Sequence, residues 1–381
     1  MEYENLKECA KYSSLRTSRI TLDTYVSTEN MLPNKGGITT IDSIPDCKTV
    51  SKYEPTDILI SNIRPYFCKI WYATREGGCS NDVLVIKANK NIDSKFLYYV
   101  LSDNNFFNYD TVTSKGTKMP RGNKNAIMKY LVPKIELQTQ KKIASILSAY
   151  DSLIENNTKR IKLLEQMAEN LYKEWFVRFR FPGHENMKME NGLPMGWKVK
   201  KLSDIATYST TKVKSENIDF YISTENMLKD FGGIDKNTQT EIPEGNVTKV
   251  HLNDILVSNI RPYFKKIWLA NKEAGCSNDV LNIRANEGID PVFLYHSIRK
   301  DSFFEHMVAG SNGTKMPRGN KDFTMKYQIT VPDGFIMERF SSIAQNIKRQ
   351  MLNLLYQNTL LARQRDLLLP RLMSGKLEVK P

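Results

Sequence analysis

Two basic loops are the segments of this chain whose side chains are best suited to binding a ligand. The motif GTKMPRGNK occurs at 116–124 and recurs, letter for letter, at 313–321. Its glycines allow close backbone approach, its basic side chains suit phosphate, and Arg or Asn can also read base edges. The motif predicts a nucleic-acid contact, with a solvated basic turn as the alternative. The side chains assigned to DNA contact here are Lys115, Lys118, Arg121, Asn123, Lys124, Lys315, Arg318, Asn320 and Lys321.

A second repeated motif, SNIRPYF, occurs at 61–67 and again at 258–264. Because Arg64 precedes a proline, we expect its backbone to be extended. Three interpretations stay open: the motif belongs to the core, Arg64 pairs with a carboxylate such as Asp82, or Arg64 faces DNA. The residues of this motif assigned to DNA contact are Asn62, Arg64, Asn259 and Arg261.

Motifs for catalysis are missing from the sequence. The five cysteines are scattered without a CxxC pair, and the four histidines have no metal-binding spacing. The segment GSNGTK at 310–315 lacks the spacing of a phosphate-binding loop. There is also no Asn-Pro-Pro-aromatic motif for amino-methyl transfer. The sequence therefore predicts a recognition protein that is not an enzyme and that holds neither a cofactor nor a metal.

Charge and hydropathy narrow the class of partner. The 381 residues carry 55 basic and 42 acidic side chains, a formal net charge of +13. Such an excess favours a polyanionic partner, and nucleic acid is the commonest one. No apolar run approaches the roughly 20 residues of a membrane span, and the N-terminus does not resemble a secretory signal. We expect a cytoplasmic chain with reduced thiols and no membrane partner.

Both motifs belong to a long internal repeat. DILISNIRPYFCKIWYA at 57–73 matches DILVSNIRPYFKKIWLA at 254–270, and GCSNDVL at 78–84 recurs at 275–281. A period of nearly half the chain is too long for a solenoid and indicates a duplicated domain. In each copy, short β-branched runs such as DILIS, DVLVIKA and YLVP predict strands. SKFLYYVLSDNNFFNY and its counterpart PVFLYHSIRKDSFFEHM each predict one helix. The predicted class is α+β.

Each copy is followed by a long helical stretch. Residues 138–177 contain neither Gly nor Pro, and apolar residues recur at alternating steps of four and three, which predicts a coiled-coil helix. A similar run follows the second copy, and Pro370 should end it. The predicted seam comprises Ile143, Leu147, Tyr150, Ile154, Asn157, Ile161, Leu164, Leu171, Phe340, Ile343, Ile347, Leu354, Leu361 and Leu368. The predicted domains are 1–134 and 196–334 (recognition), 135–178 (central helix), 179–195 (linker) and 335–381 (C-terminal helix and tail).

In these motifs and in their order, the whole chain resembles the specificity (S) subunit of type I restriction–modification systems. The resemblance also rests on YVSTENMLPNKGGI, LYKEWFVRFRFPGHE, GLPMGWKVKKLSDIA and LLLPRLMSGKLEV. It implies two target-recognition domains separated by two long helices that form an antiparallel coiled coil. Each domain would read one half of a split double-stranded DNA target. The subunit would have no catalysis of its own. It would dock methyltransferase (M) subunits, two in number, that use S-adenosylmethionine, and restriction (R) subunits that use ATP and Mg²⁺.

The chain departs from the family pattern because its two recognition domains are close copies, whereas family members often carry dissimilar ones. Similar domains related by an antiparallel coiled coil predict a nearly palindromic target. Two other classes remain open: a self-contained enzyme that modifies or cleaves DNA, and a coiled-coil scaffold that binds proteins only. The salt dependence of DNA binding separates the scaffold from the specificity subunit.

Overall fold

The fold is taken from a computed structural model, which describes residues 2–41, 43–235, 240–313, 315–374 and 376–377. The chain divides into two compact units. Unit 1 consists of Met1–Thr158 and Leu355–Pro381, and unit 2 of Lys159–Leu354. Each unit therefore holds one repeat copy together with part of each long helix. Residues 378–381 of the predicted tail lie outside the described residues.

Unit 1 contains two four-stranded sheets, short helices and one end of each long helix. Its first elements are β1 Tyr3–Asn5, α1 Leu6–Cys9, β2 Ala10–Tyr12, β3 Arg16–Thr17, β4 Tyr25–Val26, β5 Val50–Tyr53, β6 Ile58–Ser61, β7 Ile70–Tyr72, β8 Gly77–Cys79, β9 Val83–Ala88, α2 Ser94–Ser102, α3 Asn104–Thr113, α4 Lys124–Ile127, β10 Leu131–Pro133 and the long α5 Leu137–Tyr172. The sheets have the orders β2-β9-β6-β7 and β3-β5-β8-β4, and β1 pairs with β10. All pairs are antiparallel except β4–β8.

The apolar run of β6 is explained by burial on both faces. Ile58 and Ile60 pack into a cluster with α2, α3 and the start of α5. Leu59, between them, points to the opposite face and packs into a second cluster with residues of β4, β5 and β8. A strand covered on both faces needs no polar alternation, and this explains why the three consecutive residues 58–60 are all apolar.

Unit 2 repeats this architecture. Its elements are β11 Met189–Glu190, β12 Leu193–Pro194, β13 Lys198–Lys201, α6 Leu202–Ile205, β14 Ala206–Tyr208, β15 Lys212–Lys214, β16 Tyr221–Ile222, β17 Asn246–Val250, β18 Ile255–Ser258, β19 Ile267–Leu269, β20 Ala274–Cys276, β21 Val280–Ala285, α7 Pro291–Ile298, α8 Asp301–Ala309, α9 Lys321–Thr324, β22 Gln328–Val331 and the long α10 Gly334–Met373. The sheet orders β14-β21-β18-β19 and β15-β17-β20-β16 match those of unit 1 strand for strand.

The two long helices run antiparallel within unit 1. Asp151 of α5 forms an ion pair with Arg365 of α10, and Asn157 Nδ2 donates to Asn358 Oδ1 at 3.0 Å. The residue numbers rise along one helix while they fall along the other, as an antiparallel pair requires. Asn157 is buried. It lies on the seam as predicted, paired with an asparagine that the sequence pattern did not single out.

In unit 2 the helices meet through aromatic side chains. Phe340 of α10 lies 4.9 Å, between ring centroids, from Phe176 and 6.0 Å from Tyr172. Phe176 belongs to a π-helical turn, Lys173–Val177, that continues α5. The predicted α+β class with two packed long helices is confirmed.

Two predictions about α10 are wrong. Ile343 is 42% exposed, and the buried seam position is Ala344, at 2%. From Phe340 the steps of four and then three lead through Ala344 to Ile347, so the larger apolar residue was mistaken for the seam residue. Pro370 also does not end the helix, which continues to Met373. A proline removes one backbone donor, and only one further turn follows it.

Two further expectations need correction. The single helix predicted over 94–109 is two helices, because Asp103 is extended and its carboxylate accepts from Asn105 N, capping α3. Its counterpart is likewise split into α7 and α8.

The segment 179–195, predicted as a linker, contains the β11–β12 hairpin. Phe181 in this segment is buried and stacks on Trp197 at 5.1 Å between centroids.

Candidate nucleic-acid interface

Each basic loop is a short hairpin closed by one backbone pair. In unit 1, Lys115 N donates to Arg121 O and Arg121 N to Lys115 O, both at 2.9 Å. In unit 2, Asn312 and Arg318 form the same pair, again with both distances at 2.9 Å. Gly116 has φ +96°, a conformation in which glycine carries no steric penalty. The two loops are therefore built on one backbone frame.

The loop of unit 1 is fixed to the other repeated motifs by backbone hydrogen bonds. Arg64 N donates to Pro120 O at 2.8 Å, and Gly122 N donates to Asn62 O at 3.0 Å. Asn62 N in turn donates to Asp82 O at 2.8 Å. The motifs SNIRPYF, GCSNDVL and GTKMPRGNK recur together because they form one local structure.

Unit 2 has the same set of bonds. Arg261 N donates to Pro317 O at 2.8 Å, and Gly319 N donates to Asn259 O at 2.9 Å. Asn259 N donates to Asp279 O, also at 2.9 Å. The loop frame is thus held identically in both copies.

A carboxylate orients the arginine of each loop. Arg121 Nη2 lies 3.2 Å from Asp82 Oδ1, and Arg318 Nη2 lies 3.1 Å from Asp279 Oδ1. Exposed ion pairs add little stability, so the main effect is to set the direction of the guanidinium group. Asp82, named above as a possible partner of Arg64, pairs with Arg121 instead.

The cationic side chains of both loops are exposed to solvent. The exposed side chains are Lys115, Lys118, Arg121 and Lys124 in unit 1 and Lys315, Arg318 and Lys321 in unit 2. The hydroxyls of Tyr12 and Tyr208 donate to Lys124 O and Lys321 O, each at 3.0 Å. These bonds tie the end of each loop to its sheet. The geometry permits phosphate contact, and DNA contact by these residues stays a prediction.

Asn62 and Asn259 do not face solvent, which corrects their assignment to DNA contact. Both are only 8% exposed. A Cβ atom on Gly122 would lie 2.8 Å from Asn62 Oδ1, and one on Gly319 would lie 2.7 Å from Asn259 Oδ1. In each unit the asparagine side chain therefore packs directly beneath the loop glycine.

Arg64 is not extended, contrary to expectation, and its counterpart Arg261 has the same conformation. Their φ angles are +50° and +49°. The reason is tertiary: Arg64 N is held by Pro120 O while Arg64 O accepts from Phe67 N in the following tight turn. In both arginines Nε is buried and has no hydrogen-bond partner among the described residues. DNA contact by either side chain stays a prediction.

Asn123 and Asn320 are helix caps. Asn123 Oδ1 accepts from Asn125 N and Ala126 N, and Asn320 Oδ1 accepts from Phe323 N. These bonds occupy the amide oxygens. Bidentate base reading, which needs the oxygen as well as the NH₂ group, therefore competes with the caps.

One residue beneath the first loop was missed by sequence reasoning. Asp110 in α3 is fully buried, and neither carboxylate oxygen has a hydrogen-bond partner among the described residues. Burial raises its pKa from 3.8 to about 7. A Cβ atom on Gly122 would lie 2.6 Å from Asp110 Oδ1. In unit 2 the equivalent residue is Met307, which lies beneath Gly319. In the sequence, the replacement of an aspartate in one copy by a methionine in the other was the only sign that this position is buried.

Comparison with known proteins gives consistent findings. Residues 5–166 match the family described as type I restriction modification DNA specificity domain. The chain is 28% identical to the type I restriction enzyme MjaIX specificity subunit of Methanocaldococcus jannaschii, covering 75% of this chain and 70% of that protein. It is 23% identical to the HindI specificity subunit of Haemophilus influenzae, covering 93% and 94%.

A solved structure shares the fold. The type I restriction–modification system S subunit from M. genitalium matches over 97% of this chain and 95% of that chain. The TM-score is 0.53 and the sequence identity is 13%, so this likeness speaks for the architecture alone. None of the described helices combines the length and the apolar character that a membrane-spanning helix needs.

Proposed function

We propose, from the premise that the chain belongs to the type I specificity subunits, that it recognises double-stranded DNA through its two basic loops. The observation that carries this proposal is the pair of hairpins. Each hairpin exposes lysines and an oriented arginine, and each is fixed to its unit by the same backbone bonds. A cationic loop that is already held by backbone hydrogen bonds meets a phosphate backbone without a large ordering cost.

The finer proposals concern the target and the assembly. Since the loop frames are equivalent, each unit would read one half of a bipartite, nearly palindromic site. Two methyltransferase subunits and restriction subunits would dock on the chain in the cytoplasm. S-adenosylmethionine, ATP and Mg²⁺ would bind those partner subunits, and adenine methylation and DNA cleavage would take place there, because this sequence offers no catalytic motif.

A salt series tests the proposal. We expect Lys118→Ala and Lys315→Ala each to weaken binding to duplex DNA and to reduce the slope of log affinity against log salt by about one. The preferred base sequence should not change, because phosphate contacts carry no sequence information. Binding is measured by fluorescence anisotropy on the complex that the full-length chain forms in its native cells.

A matched control is Lys90→Ala, which removes the same charge from an exposed turn after β9. It should leave the salt slope within error of wild type. If the loop variants behave like Lys90→Ala, the loops do not contact phosphate. If the wild-type complex binds no DNA at any salt concentration, the protein-scaffold alternative is favoured instead.

A further inference from the structure

The two loops differ at a single position. Residues 114–124 read SKGTKMPRGNK and residues 311–321 read SNGTKMPRGNK. Lys115 in unit 1 corresponds to Asn312 in unit 2. Because the motifs are otherwise identical, any difference in what these loops read must come from this position or from outside the loops.

Lys115 and Asn312 occupy equivalent places in the backbone frame. Each exchanges two hydrogen bonds with the loop arginine, and in such an antiparallel pair the two side chains project to the same face, about 5.5 Å apart at Cα. The side chain at this position therefore stands beside a guanidinium group that Asp82 or Asp279 holds in place. It therefore lies on the loop surface next to an oriented donor group.

Neither side chain has a structural task of its own. Lys115 and Asn312 are both exposed, and neither side chain hydrogen-bonds to another described residue. The backbone pair depends only on main-chain atoms, so it forms with either side chain. The substitution changes what the loop presents to a ligand and leaves the loop itself unchanged.

We propose that this position determines specificity: Lys115 reads guanine in one half-site and Asn312 reads adenine at the equivalent base of the other. A lysine has only donors and suits the O6 and N7 acceptors of guanine in the major groove. An asparagine amide has a donor and an acceptor and suits N7 and N6 of adenine. The inference rests on the proposed DNA recognition and extends it to a base and a residue.

Selection from a randomised duplex library tests the inference. We expect Lys115→Asn to convert one half-site from guanine to adenine at one base, which makes the target symmetric. Asn312→Lys should convert the other half-site from adenine to guanine. The preference at the altered base should shift by about tenfold or more. The binding species is the complex that the full-length chain forms in its native cells.

Lys118→Asn is the matched control, since it makes the same substitution in the same loop at a position identical in both copies. It should weaken binding without changing any base preference. If Lys115→Asn binds DNA with wild-type preferences, the inference is wrong while the proposed function stands. If the wild-type complex selects no sequence at all, the proposed function fails and the inference fails with it.

Discussion

The two units fill equivalent parts of their cores with different side chains. In unit 1, Tyr53 lies beside Gly77, where an added Cβ would come within 2.4 Å of the tyrosine hydroxyl. In unit 2 the corresponding residues are Val250 and Ala274, both buried. Unit 1 pairs a large side chain with a glycine, and unit 2 pairs a smaller side chain with an alanine. The side-chain volume at this place in the core is therefore similar in the two units.

A second pair behaves in the same way. Thr113 and Ala126 in unit 1 correspond to Gly310 and Phe323 in unit 2, and a Cβ on Gly310 would lie 2.2 Å from the Phe323 ring. The equivalent backbone carbonyl nevertheless has a side-chain partner in both units. Tyr109 donates to Ala126 O at 3.0 Å, and His306 Nε2 lies 2.8 Å from Phe323 O.

Differences that come in compensating pairs preserve the frame. Two differences near the loops lack such compensation. Lys115 against Asn312 is exposed, and Asp110 against Met307 is buried beneath the loop glycine. Packing does not explain either of them, so these positions are where the two units are expected to differ in behaviour.

The largest expected effect follows from exchanging the buried pair. The folded-state pKa of Asp110 is raised to about 7. Its ionisation therefore does not reduce the stability of unit 1 below about pH 4, and that stability falls as the pH rises through about 7. We expect Asp110→Met to make unit 1 more stable than wild type at pH 8, on the order of 3 kcal/mol, with little difference near pH 4.

The reciprocal variant Met307→Asp should destabilise unit 2 by a similar amount at pH 8, because it buries a carboxylate without a partner. Hydrogen exchange of peptides from each unit, followed at several pH values, separates the two effects. A pH-independent difference between Asp110→Met and wild type would mean that Asp110 is charged and compensated in the folded state.

A smaller effect is expected from breaking a compensated pair. Gly310→Thr should destabilise unit 2 by about 2 kcal/mol, since the new side chain overlaps the Phe323 ring. Adding Phe323→Ala recreates the Thr113 and Ala126 combination of unit 1 and should recover most of the loss.

A double-mutant cycle measured by denaturant unfolding gives the coupling free energy, expected to be at least about 1 kcal/mol. Phe323→Ala alone supplies the fourth corner of the cycle. Additive effects of the two substitutions would show that the pair is not compensatory, and that the two units tolerate these side chains independently.

The sequence was informative where a pattern repeats over several residues. The strand at Ile58–Ser61 follows from a short β-branched run, and the helix from Leu137 follows from apolar periodicity. The resemblance to the S subunits is confirmed. Burial of single polar residues was not predictable, because it depends on tertiary contacts. Asn62 reads as a polar residue after a strand, yet it is covered by Gly122, which is 60 residues away in sequence.

The helix seam shows the same limit. Ile343 and Ala344 are adjacent, and only the packing within unit 2 shows that the smaller residue faces inward. The left-handed backbone of Arg64 likewise results from two hydrogen bonds, one to Pro120 and one within the following turn. Together they outweigh the preference for an extended conformation that Pro65 imposes on the residue before it. The local sequence pattern predicts whether a segment forms a helix or a strand. Long-range contacts determine which of its residues face inward and which backbone conformation they adopt.

The smallest expected effect concerns the polar pair between the long helices of unit 1. With the shift of 197 that relates the copies, Asn157 corresponds to Leu354 and Asn358 corresponds to Ile161 in unit 2. A polar pair in one unit thus replaces two apolar residues in the other. Such a pair specifies register at some cost in stability.

We therefore expect Asn157→Leu alone to destabilise unit 1 by about 1 kcal/mol, because Asn358 loses the 3.0 Å hydrogen bond. The double variant Asn157→Leu with Asn358→Ile, which copies the residues of unit 2, should be at least as stable as wild type, since removing both polar partners leaves no group unsatisfied. Urea unfolding measures the stability, and light scattering detects any new oligomer that forms once the register is less specified. A double variant that is less stable than the single one would mean that the pair contributes net stability, and that the polar and apolar halves of the helix pair are not equivalent solutions.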